Sequence, residues 1–402
     1  MNDAASLLAW LADGARSATA SEAVLAELCE RLTAIGVPLG RVAVFVRTLN
    51  PNNIGRRFIW RRDGGPIEIL DGDFDLFNRD EYLSNPIAVV QRDGKPIRRR
   101  LIDPDSPMDY PVLQEFKAGG MTDYLASPLI STDGLVHVAT WSTTGPNGFS
   151  DADIRILESV VPLLARVEEI RTLRRTVVTL LDTYVGHQSG ERILAGRIRR
   201  GDTEAIRAVI WLSDLRGFTE LADRLPGRSV IAVLNRYFDC QIPPILERGG
   251  EVLKLMGDGL LAIFPVADEA TAADVCNRAL EAARNFRSRI EALEDPLGDG
   301  NPARLRFGLA LHIGELLYGN IGGGNRLDFT SIGPAVNLAA RLETLAAELR
   351  RNVLVSADFA KHCQSGLTPL GDFSHKGFAV RSGAFGLPEE QPHTAANTVA
   401  GT

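Results

Sequence analysis

The chain has 402 residues, 45% hydrophobic and 24% charged, with a formal net charge of −7 and a pI of about 5.5. Such a balance describes a soluble globular protein of two or three domains. It argues against a nucleic-acid-binding surface over much of the molecule, and no run approaches the roughly eighteen apolar residues of a membrane span.

The first residues, Met1 to Arg16, carry Asp3 and Asp13 and no basic leader, so they do not read as a signal peptide. Leu7, Leu8 and Leu11, then Val24, Leu25, Leu28 and Leu32, predict two amphipathic helices separated near Ala18 to Ser21. Val42, Val44 and Val46 alternate as in a strand, and further strands are expected at Arg57 to Arg61 and Leu135 to Ser142. Asp-Gly turns stand at residues 63–64, 93–94 and 133–134. The polar stretch from Asp71 to Asp109 predicts loops, and Arg98-Arg99-Arg100 reads as a solvated basic strand end rather than an anion site. Trp60, Tyr124 and Trp141 read as core aromatics rather than pocket walls. Cys29, Cys240, Cys276 and Cys363 are scattered with no C-x-x-C pair, as in a cytoplasmic protein with reduced thiols. Ser150, with Asp153 three residues on, opens a helix. The order strand, turn, strand, helix from Tyr124 resembles the end of GAF-type sensor domains, with PAS-like or other α/β sensors as alternatives. This resemblance implies a small-molecule or protein signal at residues 1–150, of unknown identity.

From Asp151 the helical pattern continues without a stop. Ile156, Val160, Leu163, Val167, Ile170, Leu173, Val177, Leu180 and Tyr184 recur three or four residues apart, and the outer positions are densely charged. That is a near-heptad seam, and it predicts a connecting and dimerising helix over 151–184. The glycines and the basic Arg197-Ile-Arg-Arg200 then predict a transmitter over 185–203, a catalytic domain over 204–388 and a disordered tail over 389–402.

In the C-terminal half, Val209 to Leu212 reads as a buried strand because both faces are apolar. It ends on Asp214, whose carboxylate suits a hard cation. Gly217, Phe218 and Thr219 then open a helix, where unpartnered backbone N–H groups favour phosphate oxygens. Val252 to Phe264 reads as a hairpin turning at Met256-Gly-Asp-Gly259, so that Asp258 projects from a turn between two buried strands. If that hairpin adjoins the first strand, the two aspartates can hold divalent cations for displacement at phosphorus. A third block places Pro334 at a helix start. Asn337 and Arg341 follow, four residues apart on one face of a mostly apolar helix. His312, in an apolar run, reads as a satisfied core histidine.

These three blocks together resemble the catalytic domain of the class III adenylate and guanylate cyclases over roughly residues 205–387. The resemblance implies a ferredoxin-like α/β (α+β) fold and a head-to-tail homodimer with its sites between subunits. It also implies two Mg²⁺ or Mn²⁺ ions per site. Asp214 and Asp258 match the metal-binding aspartates, with the Leu215 carbonyl as an additional ligand. Leu215, Gly217, Phe218 and Thr219 match the triphosphate cradle. Asn337 matches the ribose-orienting residue and Arg341 the one stabilising charge on the α-phosphate. Lys376 and Arg326 resemble phosphate-contacting residues. Lys254 matches the adenine-reading lysine and Thr330 its partner. A lysine donates and cannot accept, which suits adenine N1 and leaves the N1–H of guanine without an acceptor. The activity implied is conversion of ATP to 3′,5′-cyclic AMP and pyrophosphate. The alternatives are a guanylate cyclase and a catalytically silent nucleotide-binding module. A diguanylate cyclase would show Gly-Gly-Asp/Glu-Glu-Phe, which is absent. Pro334 departs from the family pattern, where a polar residue is more usual.

Overall fold

The computed structural model describes residues 3–294, 305–324, 326–363, 366–373 and 382–390. The chain divides into two units, Met1–Leu180 and Leu181–Thr402.

The first unit opens with helices α1 (Ala4–Ala12) and α2 (Ser21–Ala34), followed by strands β1 (Arg41–Asn50), β2 (Asn53–Arg61) and β3 (Glu68–Gly72). Helices α3 (Asp80–Leu83) and α4 (Pro86–Asp93), strand β4 (Ile97–Arg99), helix α5 (Pro111–Ala118) and strands β5 (Asp123–Ile130) and β6 (Val136–Thr143) come next. The strands form one sheet in the order β3-β2-β1-β6-β5-β4, antiparallel throughout. Alternation along β1 sends Val42, Val44 and Val46 to one face, where they pack with Leu7, Leu25 and the start of the long helix at Leu157 and Val160. The opposite face carries Tyr124, Ala126 and Val138 against Ile87 of α4 and Leu113 of α5.

Two expectations change here. The stretch read as loops contains α3, α4 and β4. Helix α4 starts because the Asn85 side chain accepts from the Ile87 N–H at 3.1 Å and Pro86 stands in its first turn. The Arg98–Arg100 run is also not simply solvated. Arg98 donates to the fully buried Asp123 carboxylate (2.7 Å) and to the Phe149 carbonyl (2.7 Å), and Arg99 pairs with Asp109 at 2.6 Å. A buried carboxylate on one neighbouring strand makes the first pairing, which a single sequence does not display.

The long helix, α6 (Asp151–Val185), is continuous over 35 residues despite Pro162. Its first half packs on its own unit through Leu157, Val160, Leu164 and Val167. Farther along, the seam residues Ile170, Leu173, Val177 and Tyr184 are exposed.

In the second unit the segment read as a transmitter breaks at Gly186 and then forms α7 (His187–Leu194). Next come β7 (Thr203–Leu215), α8 (Phe218–Arg224), α9 (Gly227–Glu247), β8 (Glu251–Met256), β9 (Gly259–Pro265), α10 (Ala272–Glu291) and β10 (Phe307–Gly323). The unit continues with β11 (Arg326–Ile332), α11 (Pro334–Glu348), β12 (Val353–Ser356), α12 (Ala357–Ala360), β13 (Thr368–Phe373) and β14 (Ser382–Gly386). The path β7-α9-β8-β9-α10-β10 with spatial order β10-β7-β9-β8 is the ferredoxin-like arrangement. Strands β12, β14 and β13 extend the sheet beyond β10, and β11 pairs with the far end of β10. Central β7 is apolar on both sides because both faces are covered. Val209 and Trp211 join Tyr237 of α9 and Phe286 of α10, whereas Ala208 and Ile210 meet Ala335 and Ala339 of α11.

His312 is 5% exposed with Nδ1 2.8 Å from Ser356 Oγ, a satisfied core histidine as expected. The tail expectation is corrected at its start. Glu390 is buried, and its carboxylate accepts from the backbone N–H groups of Asn352 and Val353, tying this segment to the start of β12. Residues 391–402 lie outside the described residues. Among the described residues, no helix is long and apolar enough to cross a membrane.

Candidate active site

Strand register places the two aspartates. Ser213 stands opposite Leu260 of β9, and Met256 of β8 opposite Gly259, so the β8–β9 turn lies against the end of β7. Gly257, at φ +66°, takes the left-handed conformation that this turn requires. The Asp214 and Asp258 carboxyl groups come within hydrogen-bonding contact, and the Leu215 N–H donates to Asp258. Burial, and then the adjacent Asp214 charge, push Asp258 up to about 6. One part of the hairpin reading is corrected: β8 is an edge strand rather than a buried one, and Leu255 and Met256 are exposed.

Below this pair, α9 is tied to β7 by Ser213 Oγ donating to Gln241 Oε1 at 2.7 Å. On the other side, α11 is fastened by Arg216. Its Nη2 donates to the Glu343 carbonyl (2.7 Å) and lies 2.6 Å from Glu343 Oε1. Gly308 of β10, directly opposite Asp214, makes room for the contact, since a Cβ there would collide with both the guanidinium and the carboxylate. Burial raises Glu343; Arg216 draws it back, and the charges of Asp214 and Asp258 raise it further. A third carboxylate thus feels the field of the aspartate pair while held by a cation. Helix α8 begins just past Asp214, with Gly217 left-handed at φ +74°. The Leu221 N–H bonds back to the Gly217 carbonyl (3.1 Å), so Phe218 and Thr219 supply the first-turn N–H groups.

A second group of predicted residues gathers between β8 and β11. The Lys254 ammonium forms an ion pair with Asp328. Thr330 follows two residues later, on the same face of β11 as Asp328. Asn337 and Arg341 lie on α11, whose buried side is formed by Ala335, Ala339 and Leu342. Arg326 stands exposed at the start of β11, opposite Gly323. Lys376 falls outside the described residues.

Residues 203–383 match the family model of the adenylate and guanylate cyclase catalytic domain. Among curated relatives, adenylate cyclase 1 of Rhizobium meliloti is 31% identical over 171 residues, covering 41% of this chain and 25% of that protein. Adenylate cyclase of Anabaena cylindrica is 28% identical over 169 residues, 41% of this chain and 32% of its own length. The likeness to adenylate and guanylate cyclase catalytic domains lies in residues 203–383, a little under half of the chain. The chain spans about a third or less of the length of these curated relatives. Among solved structures, the cyclase domain is similar to the adenylyl cyclase CyaB from P. aeruginosa (24% identity, TM-score 0.43, 48% of this chain and 100% of that one). It is also similar to the guanylyl cyclase Cya2 (26% identity, TM-score 0.39, 48% and 96%).

Two features of the cyclase domain escaped the sequence reading. Arg216 and Glu343 are 127 positions apart, and only the fold joins them. Asp328 could have been found by strand alternation, since it precedes Thr330 by two residues.

Proposed function

We propose that this chain is an adenylate cyclase that converts ATP to 3′,5′-cyclic AMP and pyrophosphate. The observation that carries the reading is the contact of Asp214 with Asp258 at the end of β7, two carboxylates crowded where a triphosphate could reach them. Like charges held this close favour a bound cation. Among the described residues no three His, Cys, Asp or Glu side chains gather into a metal-holding group. A hard divalent cation here would therefore take two carboxylates, the Leu215 carbonyl, and oxygens from water or substrate. Bound Mg²⁺ or Mn²⁺, two per site, would neutralise the triphosphate and lower the pKa of the ribose 3′-hydroxyl.

The remaining roles belong to the chain itself. Gly217, Phe218 and Thr219 cradle phosphate oxygens with backbone N–H groups, and Arg326 and Lys376 add positive charge around them. Asn337 orients the ribose. Arg341 stabilises charge growing on the α-phosphate as the 3′-oxygen attacks in line and the bond to pyrophosphate breaks. Lys254 donates to adenine N1, and Thr330 accepts from the 6-amino group. Asp328 keeps the ammonium on β11's side of the pocket before the base arrives.

The two sides of α11 support a site shared by two copies. Side chains two residues apart on a helix point about 200° apart. Glu343 faces Arg216 and the aspartate pair, so Arg341, two residues earlier, projects from a different side of α11. The exposed seam on α6, from Ile170 to Tyr184, supports a parallel homodimer by the same logic of unpartnered apolar positions. A GAF-like region over residues 1–150 would then act on the rate through α6 and the following segment, in response to a signal it binds.

Base choice is testable. Wild-type protein should make cyclic AMP from ATP at least about tenfold faster than cyclic GMP from GTP, and Lys254→Ala should narrow that ratio. Equal rates on both nucleotides in the wild type would refute adenine selection.

A further inference from the structure

The N-terminal unit holds a cavity of about 720 Å³ between its sheet and the α3–α5 side, lined among others by Arg41, Phe45, Arg47, Arg57, Tyr82 and Tyr124. That volume is in the range of small-molecule sites. The charge pattern of its walls is unusual. Alternation along β1 puts Arg41, Phe45 and Arg47 on one face, with Arg57 opposite Phe45 on β2. A face packed under helices should be apolar, as Val42, Val44 and Val46 are on the other side.

Neighbouring arginines have carboxylate partners: Arg61 pairs with Glu68 at 2.9 Å and Arg56 with Asp71 at 2.5 Å. Among the described residues, Arg41, Arg47 and Arg57 pair with none. Each lies over an aromatic ring instead, Arg41 at 5.2 Å from the Phe116 centroid, Arg47 at 5.0 Å from Phe77 and Arg57 at 5.6 Å from Phe45. The Arg57 Nε is buried without a hydrogen-bond partner, and Arg41 is only 9% exposed. Burial, then repulsion from Arg61 and Arg57, lowers Arg41 to about 10, and burial lowers Arg57 as well. Arg47 is exposed, but Arg41 and Arg57 are largely desolvated with no carboxylate in ion-pairing reach, although Asp71, Asp80, Glu81 and Glu115 also line the cavity; ring faces offset only part of that cost.

We infer that this cavity binds a small organic anion, with its charged group on Arg41 and Arg57 and a flat apolar body against the aromatic walls. Guanidinium forks match carboxylate and phosphate oxygens alike, so the class is defined by charge and a planar body.

The test uses the full chain and isothermal titration with 2-naphthoate, 1-naphthyl phosphate and the neutral 2-naphthamide. At least one anionic probe should bind, about tenfold or more tightly than the amide. That preference should fall about tenfold in Arg57→Gln, which leaves every residue assigned to the cyclase site unchanged. Binding of the carboxylate alone or of the phosphate alone supports the class and selects its member. Equal binding of amide and anions, or no binding of either anion, would overturn the inference. So would undiminished anion preference in both Arg41→Gln and Arg57→Gln. The comparison of anion with amide needs no variant, so poor folding of either substitution leaves the test intact.

Discussion

Asp258→Ala and Asp214→Ala should each lower turnover of ATP by roughly 10³-fold or more, because each removes a carboxylate from the proposed two-metal centre. The loss should not come from unfolding. Asp258 sits in a glycine-framed turn at the sheet edge, and the neighbouring Asp214 charge helps to raise its carboxyl. Deleting one of two neighbouring like charges relieves repulsion, so the thermal midpoint of either variant without metal should equal or exceed that of the wild type. Asp258→Asn separates shape from charge: it keeps the turn and should be about as inactive as the alanine variant. Calorimetry beside a cyclic-nucleotide assay checks both halves. Substantial activity in either alanine variant would rule out a centre built on this pair.

A mixture of two dead proteins should come back to life. In the proposed homodimer, Asp258→Ala and Arg341→Ala each leave both sites broken. Because Glu343 turns towards Asp214 and helix geometry puts Arg341 on a different side of α11, the aspartates and the arginine of one chain should serve different sites. In a heterodimer one site then lacks both groups and the other is whole. Random exchange makes about half the dimers mixed, each with one good site of two, so activity should climb towards roughly one quarter of wild type. Exchange can be followed independently with two tags of different mass. A mixture that exchanges and stays inactive would place all the groups of a site on one chain.

The cyclase core was legible because its parts are local. The run Val209 to Leu212 is apolar on both sides since β7 is covered on both faces, and Asp214 marks its end. The glycines beside Asp258 announce a turn, and the spacing of Asn337 and Arg341 announces a helix face. What went unread depends on partners far away in sequence. Asp123 draws Arg98 into an ion pair, Glu390 reaches back to β12, and Arg216 finds Glu343 through the packing of α11. The α3–α4 segment was missed for another reason: its caps, Asn85 and Pro86, were visible, but the polar composition around them outweighed so short an apolar stripe. The arginines of β1 and β2 were present in the sequence as well. Only the register shows that they share a covered face.

The most direct test of the central claim is product identification. Purified full-length protein is incubated with ATP and Mn²⁺, then again with excess chelator, and the nucleotides are resolved by chromatography with mass detection. The expected result is 3′,5′-cyclic AMP with an equal amount of pyrophosphate, lost on chelation and restored by added metal. Formation of ADP and phosphate, or nucleotide that binds and is recovered unchanged at every metal concentration, would contradict an adenylate cyclase.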